Sequence, residues 1–435
     1  MIVGPLRHEG IRDAGVDVAS VALASAATQG SSYIALVLLA MLVSVQDFGA
    51  VKVADSVLSI VILIGSLGIP SHLLCNAQFH RKHGSPLLLR ALTSVVAAAA
   101  MAGAGALLVL WSARLVTDAH QLLVLVELVW IGTLGAANRT AAAYLQGTTH
   151  LLQAARIVAM AAVFGLIVCA GLTAAWGVQG WILGRYASET LALGVLVVTC
   201  DVSLRGAAPS MSEMFSLVRT TVPIAVSLIL RALLDTLPIF VLASVGASGD
   251  VGAFGLATVA GAGVGMLTAA VATVAAPKLA AVRHDVRSAR SVIVRGASVN
   301  VIIAVAGVLA LCLMWPLILT KVFPTYSAAM PIATVLLWAV PIRTLASTLA
   351  LMCLVYNRNL ITVLINVALL GLGVGAYPIA WRSGGVRGLA WCTLVLECVG
   401  AALIAGSCSL LHTRWSHEVR ESAIVPGRQS PSAAI

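Results

Sequence analysis

Charge is scarce in this chain. Of its 435 residues only 10% are Asp, Glu, Lys or Arg, where soluble domains carry about one-quarter. Aromatic residues are also few, at 5%, and lysine is rarer still, with 4 against 22 arginines. So little charge cannot cover a water-soluble surface, which excludes an ordinary soluble enzyme. Cysteine occurs eight times but never as CxxC or in a spaced Cys/His set, so neither a zinc motif nor a dithiol redox motif is encoded. No metal and no cofactor is expected. Long polar segments are missing too. No stretch between apolar runs exceeds about twenty residues, well below the roughly 50 of a small domain, so a soluble catalytic domain is excluded.

Hydrophobic residues make up 60% of the chain, with mean hydropathy +1.04. Apolar runs of about 20 residues, enough to cross a bilayer, fall at 18–43, 54–75, 89–112, 121–145, 155–175, 180–200, 217–243, 251–276, 296–318, 329–355, 360–380 and 389–412. Twelve membrane helices are predicted, because within hydrocarbon a helix satisfies its own backbone groups. The fold class is therefore all-α membrane protein. The net charge of +10 is distributed as membrane topology requires. With a cytoplasmic N-terminus, 17 of the 26 Lys and Arg fall in cytoplasmic segments or the first three residues of the spans that follow them, 5 outside and 4 deeper within spans. That is the positive-inside pattern, and it puts both termini in the cytoplasm. No basic run interleaves with aromatics, so the charge does not read as a nucleic-acid footprint. The first 17 residues carry five charges without a short apolar core and cleavage site behind them, so the first span is expected to be an anchor.

The chain repeats itself. Gly177-Val178-Gln179-Gly180 with Glu189 recurs 208 residues later as Gly385-Val386-Arg387-Gly388 with Glu397. Asp47-Phe48-Gly49-Ala50 recurs 203 residues later as Asp250-Val251-Gly252-Ala253. The echoes divide the chain into a cytoplasmic N-terminus (1–17), a six-helix lobe (18–200), a cytoplasmic linker (201–216), a second six-helix lobe (217–412) and a polar, disordered tail (413–435). An even number of spans gives both lobes the same orientation, the arrangement of parallel repeats around a central cavity.

These motifs resemble those of a known family. Asp47-Phe48-Gly49 followed by Leu67-Gly68-Ile69-Pro70, then Tyr144-Leu145-Gln146-Gly147, look like the opening half of bacterial polysaccharide flippases. Val222-Pro223, Leu234-Asp235, Asp250-Val251-Gly252-Ala253-Phe254 and Ala276-Pro277-Lys278 resemble the second half. The resemblance runs from about residue 20 to 410. It is to the oligosaccharide-lipid flippase branch of the multidrug/oligosaccharidyl-lipid/polysaccharide exporter superfamily. It implies a cytoplasmic-membrane transporter without enzyme activity, working by alternating access. Its cargo would be a polyprenyl-(pyro)phosphate-linked oligosaccharide, and its setting membrane lipid, with glycosyltransferases and a glycan polymerase of one pathway as partners and no nucleic acid. Phe254 departs from the pattern, standing where the family often has Tyr.

Ionisable groups in mid-span are costly and so are candidates for function. Arg139, Arg185, Arg231 and Arg343 lie within spans, whereas each lysine is placed at a span end. Arginine offers a fork of donors suited to phosphate, and Arg139, Arg343 and Arg231 are the candidate cargo-binding residues. Arg185–Glu189 and Arg231–Asp235 have the four-residue spacing of a helical ion pair, so they serve either as self-neutralising pairs or as coupling groups. Glu397 has no base at helical spacing and needs a partner on another helix, Arg343 being one option. Asn138, Asn300 and Asn366 fit interhelical hydrogen bonds, or sugar contacts. The triplets Gly261/Gly263/Gly265 and Gly371/Gly373/Gly375 fit close helix packing, or bending. Pro223, Pro238, Pro331 and Pro341 can kink their helices.

Two other functions stay open on sequence. A multidrug cation antiporter of the same superfamily would share the architecture, but it usually relies on acids in its first lobe, and the first three spans hold only Asp55. A polytopic glycan polymerase or ligase would need catalytic charges in an outer loop, where only Asp118 and His120 stand together. Topology is directly testable: substituted cysteines in 76–88 and 277–295 should react from the cytoplasmic side. Reaction of 277–295 from outside would overturn the twelve-span arrangement.

Overall fold

A computed structural model describes residues 30, 33–73, 86–112, 119–148, 151–199, 211–281, 286–356 and 358–424. They form helices α1 (Tyr33–Leu42), α2 (Val45–Ser66), α3 (Pro86–Ser112), α4 (Ala119–Thr148), α5 (Leu151–Thr199), α6 (Met211–Ser244), α7 (Ser248–Ala281), α8 (Val286–Lys321), α9 (Ala329–Val355) and α10 (Asn359–Ile424). A 3-10 turn, Pro324–Tyr326, joins α8 to α9. Among the described residues eight apolar helices are long enough to cross a bilayer. The chain is an all-helical, multi-pass membrane protein.

Two of those eight are far too long for one crossing. The apolar stretch Arg156–Thr199 has 44 residues, about 66 Å at 1.5 Å per residue, twice the hydrocarbon thickness. It folds back on itself at Gly177, where φ is 59° and ψ −130°, a conformation open only to glycine. A Cβ on Gly180 would drive into the carbonyl oxygen of Leu172, Gly184 would meet Cys169, and Gly165 would meet Ser188. These contacts define an antiparallel hairpin. α10 does the same at Gly385, with φ 56° and ψ −142°, and Gly388 backs onto the carbonyl of Ala380. The repeated Gly-Val-x-Gly is thus a loopless hairpin: its first glycine reverses the chain and its second lets the returning leg touch the backbone it left.

The other echo is where the two halves of the chain meet. A Cβ on Gly49 would strike the carbonyl of Ser248, and one on Gly252 would strike the carbonyl of Val45. Each glycine faces the residue four before its own repeat-mate, so α2 and α7 cross about a local two-fold axis. Phe48 and Tyr326 pack edge to face beside the crossing, ring centroids 6.0 Å apart, and Phe323 backs Tyr326 at 5.9 Å. Burial pushes the Tyr326 hydroxyl up to about 12. At its far end α2 closes with Leu67 in the left-handed conformation and Gly68 at φ 70°, and there a Cβ on Gly68 would lie 2.9 Å from the Thr221 carbonyl. α2 therefore packs on α3 and α4 of its own half and on α6 and α7 of the other. α4 packs on α2, α3 and α5, while α9 packs on α7, α8 and α10.

Several expected boundaries shift. α2 begins inside the expected outer loop 44–53, because Ser44 caps it by accepting from the Asp47 amide at 3.1 Å. Lys52 is consequently inside a helix rather than at a span end. α7 and α8 run into the expected 277–295 loop, α6 starts within the expected linker, and α10 continues past 412 into the expected tail. Close packing accounts for Gly261 and Gly373 only; a Cβ on Gly263, Gly265, Gly371 or Gly375 would meet nothing within 4 Å. The rest of the first span, the tail beyond 424, and Asp118 lie outside the described residues. Gly180→Leu and Gly388→Leu should each abolish folded yield in detergent, and Gly177→Ala should cost about 1–3 kcal/mol in backbone strain. Gly406→Ala, with open space around it, should leave thermal unfolding unchanged.

Candidate functional site

Helical spacing builds the first part of the charge cluster. On α6, Arg231 and Asp235 stand one turn apart and pair at 3.2 Å. On α5, Arg185 and Glu189 pair at 3.5 Å. The returning leg of α10 brings Glu397 against both Arg231 and Arg343. Arg343 donates to Glu397 Oε1 through Nε at 2.9 Å and Nη2 at 2.6 Å, and Nη2 also lies 3.0 Å from Asp235. Two arginines and two carboxylates thus tie α6, α9 and α10 into one neutral network. Glu397 is almost fully buried, whereas the Arg343 side chain is 43% exposed. Loss of one partner from a buried set leaves an uncompensated charge, typically costing about 3–5 kcal/mol.

The first half repeats this junction with weaker chemistry. Asn138 on α4 donates to the backbone oxygen of Glu189 at 2.9 Å and to its Oε2 at 2.6 Å, so an amide holds Glu189 where guanidinium groups hold its repeat-mate Glu397. Lys52 and Asp55 pair at 3.0 Å on α2. Arg139, next to Asn138, has no ion partner within 4.0 Å among the described residues, and it is exposed. It nevertheless sits in the field of Glu189, Arg185, Tyr33 and Asp55. Tyr33 on α1 in turn feels the charges of Lys52, Asp55, Arg343 and Arg139, one arginine from each half. Arg139 is thus an exposed cation in the electrostatic field of groups on several helices.

The expected site residues therefore divide. Arg231, Asp235, Arg343 and Glu397 come together, as do Arg185 and Glu189, and Arg139 stands apart from both sets. The asparagines make interhelical bonds: Asn300 to Thr348 at 2.9 Å and Asn366 to the Ser227 carbonyl at 3.0 Å. Sequence inspection missed Tyr33, Lys52 and the Arg231–Glu397 contact. Only the last had a signal, in the missing local partner of Glu397. No group of three or more His, Cys, Asp or Glu side chains suited to a metal occurs among the described residues.

Comparison with known proteins adds a family to this geometry. Residues 38–326 match the family model described as polysaccharide biosynthesis protein. The chain belongs to that family. No curated protein matches it. Solved structures share its fold. An outward-facing multidrug resistance MATE family transporter of the MOP superfamily has a TM-score of 0.69 at 14% identity, covering 93% of this chain and 96% of that one. A Vibrio cholerae MATE transporter scores 0.67 at 13% identity, covering 93% and 96%. A MOP superfamily transporter from Pyrococcus furiosus, described as having a binding pocket of reverse polarity that suggests a different function, scores 0.68 at 13%, covering 91% and 95%.

Within this family member the network makes a graded prediction. Glu397→Ala should lower folded yield far more than Asp235→Ala, since Glu397 is buried and serves both arginines. The Arg231→Ala/Asp235→Ala double variant should recover yield, because Arg343 and Glu397 still balance. Equal yields for Glu397→Ala and Asp235→Ala, measured by size-exclusion chromatography, would contradict the shared role of Glu397.

Proposed function

We propose that this chain flips a polyprenyl-(pyro)phosphate-linked oligosaccharide across the cytoplasmic membrane by alternating access, with no enzyme chemistry of its own. Twelve spans would result when the hairpins of α5 and α10 each count as two and α1 counts with the undescribed residues before it. The lobes would be 18–200 and 217–412, with both termini in the cytoplasm as the basic residues suggest. The observation that carries the reading is Arg139. The other mid-helix charges singled out have an ion partner within 4.0 Å, so this one guanidinium leaves a positive excess among the described residues, available to two oxygens of a phosphate. Arg343, its side chain 43% exposed, is the second contact, released as cargo oxygens replace Asp235. Membership in a polysaccharide biosynthesis family supports a glycan-linked cargo, drawn from glycosyltransferases and passed to a glycan polymerase.

A multidrug cation antiporter is the second reading, favoured by the fold shared with MATE transporters. Against it, Asp55 is already neutralised by Lys52, and the excess charge has the wrong sign for a cationic drug. In proteoliposomes, Arg139→Ala should abolish flipping of a prenyl-pyrophosphate-linked sugar at unchanged protein level. Arg139→Lys should retain a small fraction of activity, because a lysine lacks the two-pronged geometry. Full activity of Arg139→Ala, or cation efflux in place of lipid flipping, would overturn the proposal.

A further inference from the structure

Away from the charge cluster, α8, α9 and the returning leg of α10 leave an apolar groove of about 270 Å³. Ala289 and Ala405 widen its sides, while Leu349, Met352 and Tyr356 form its floor along α9. Those three residues lie 6, 9 and 13 positions beyond Arg343. At about 100° per residue they occupy the opposite face of α9, so the groove opens away from the space that Arg343 faces. Val294 and Ala405 on its rim are exposed. At the matching crossing of the first half, Ala141, Leu145, Val158 and Leu196 pack into a cluster with Leu92.

The one charged residue lining the groove is Arg290. It is exposed and has no ion partner among the described residues, and no carboxylate lines the groove. It stands in the first turns of α8, in the segment 278–295 that holds five of the chain's Lys and Arg. Exposed Arg358 follows two residues after Tyr356 at the same end of α9. An apolar slot that faces the bilayer, with a free cation at the level of the membrane surface, matches an anionic phospholipid. Its acyl chain would displace nothing polar and its phosphate would meet a guanidinium. We propose that this groove is a resident site for an anionic phospholipid of the leaflet next to the basic loops, separate from the path of cargo.

The test uses the full chain in nanodiscs of equal phosphatidylcholine and phosphatidylglycerol, followed by native mass spectrometry. One phosphatidylglycerol should be retained in preference to phosphatidylcholine. Arg290→Gln should reduce that preference about fivefold, the effect of one cation near the surface. Ala405→Leu or Val294→Phe, both at exposed positions, should fill the groove and remove the retained lipid while leaving the charge in place. Equal retention of the two lipids, or retention unchanged in all three variants, would overturn the proposal. Displacement of phosphatidylglycerol by added polyprenyl phosphate would also overturn it, since the groove would then be a cargo site.

Discussion

An ionised side chain inside a membrane bundle must be neutralised or hydrated, and that requirement organises this protein. Glu397 satisfies it by drawing guanidinium groups from two other helices onto one carboxylate oxygen. Because those helices are α6 and α9, the ion network also fixes how the second half of the chain is assembled. The first half meets the same requirement with an amide and a short intrahelical pair. Arg139 is the exception, exposed and without an ion partner within 4.0 Å among the described residues.

The two halves are therefore similar in path and unlike in chemistry. α4 and α9 each hold the middle of a half and each meet a hairpin leg through a glutamate 208 residues from its mate. One junction uses Asn138, the other Arg343. The balanced junction is rigid by charge, and the lighter one leaves a cation available. A division of labour of this kind is what the proposed transport function would use, one half anchoring structure and the other presenting Arg139.

Much of the fold was legible because it rests on steric facts that few residues satisfy. Gly177, Gly180, Gly385 and Gly388 could be recognised as a repeat before any coordinate was known, since a loopless hairpin needs glycine at both places. The pairing of Arg185 with Glu189 followed from helical spacing. The start of α2 was not legible, because Asp47, Lys52 and Asp55 look like a polar loop, whereas Asp47 is in the first turn of the helix and Lys52 and Asp55 pair along it. Tyr33 was equally hidden. A tyrosine in an apolar run carries no mark of which helices will surround it. The glycine triplets misled for the opposite reason: composition suggested contact, and the neighbouring helices do not come near four of the six.

The crossing of α2 and α7 has one more consequence. Gly49 and Gly252 each face bare carbonyl backbone across the seam, so at these two points the helices approach without interlocked side chains, while Val45 and the Lys52 stem pack beside them. At those two points the joint resembles a plain bearing, backbone sliding on backbone. The side chains that would have to repack on rocking lie around it: Val45, the Lys52 stem, and the ring of Tyr326 held between Phe48 and Phe323.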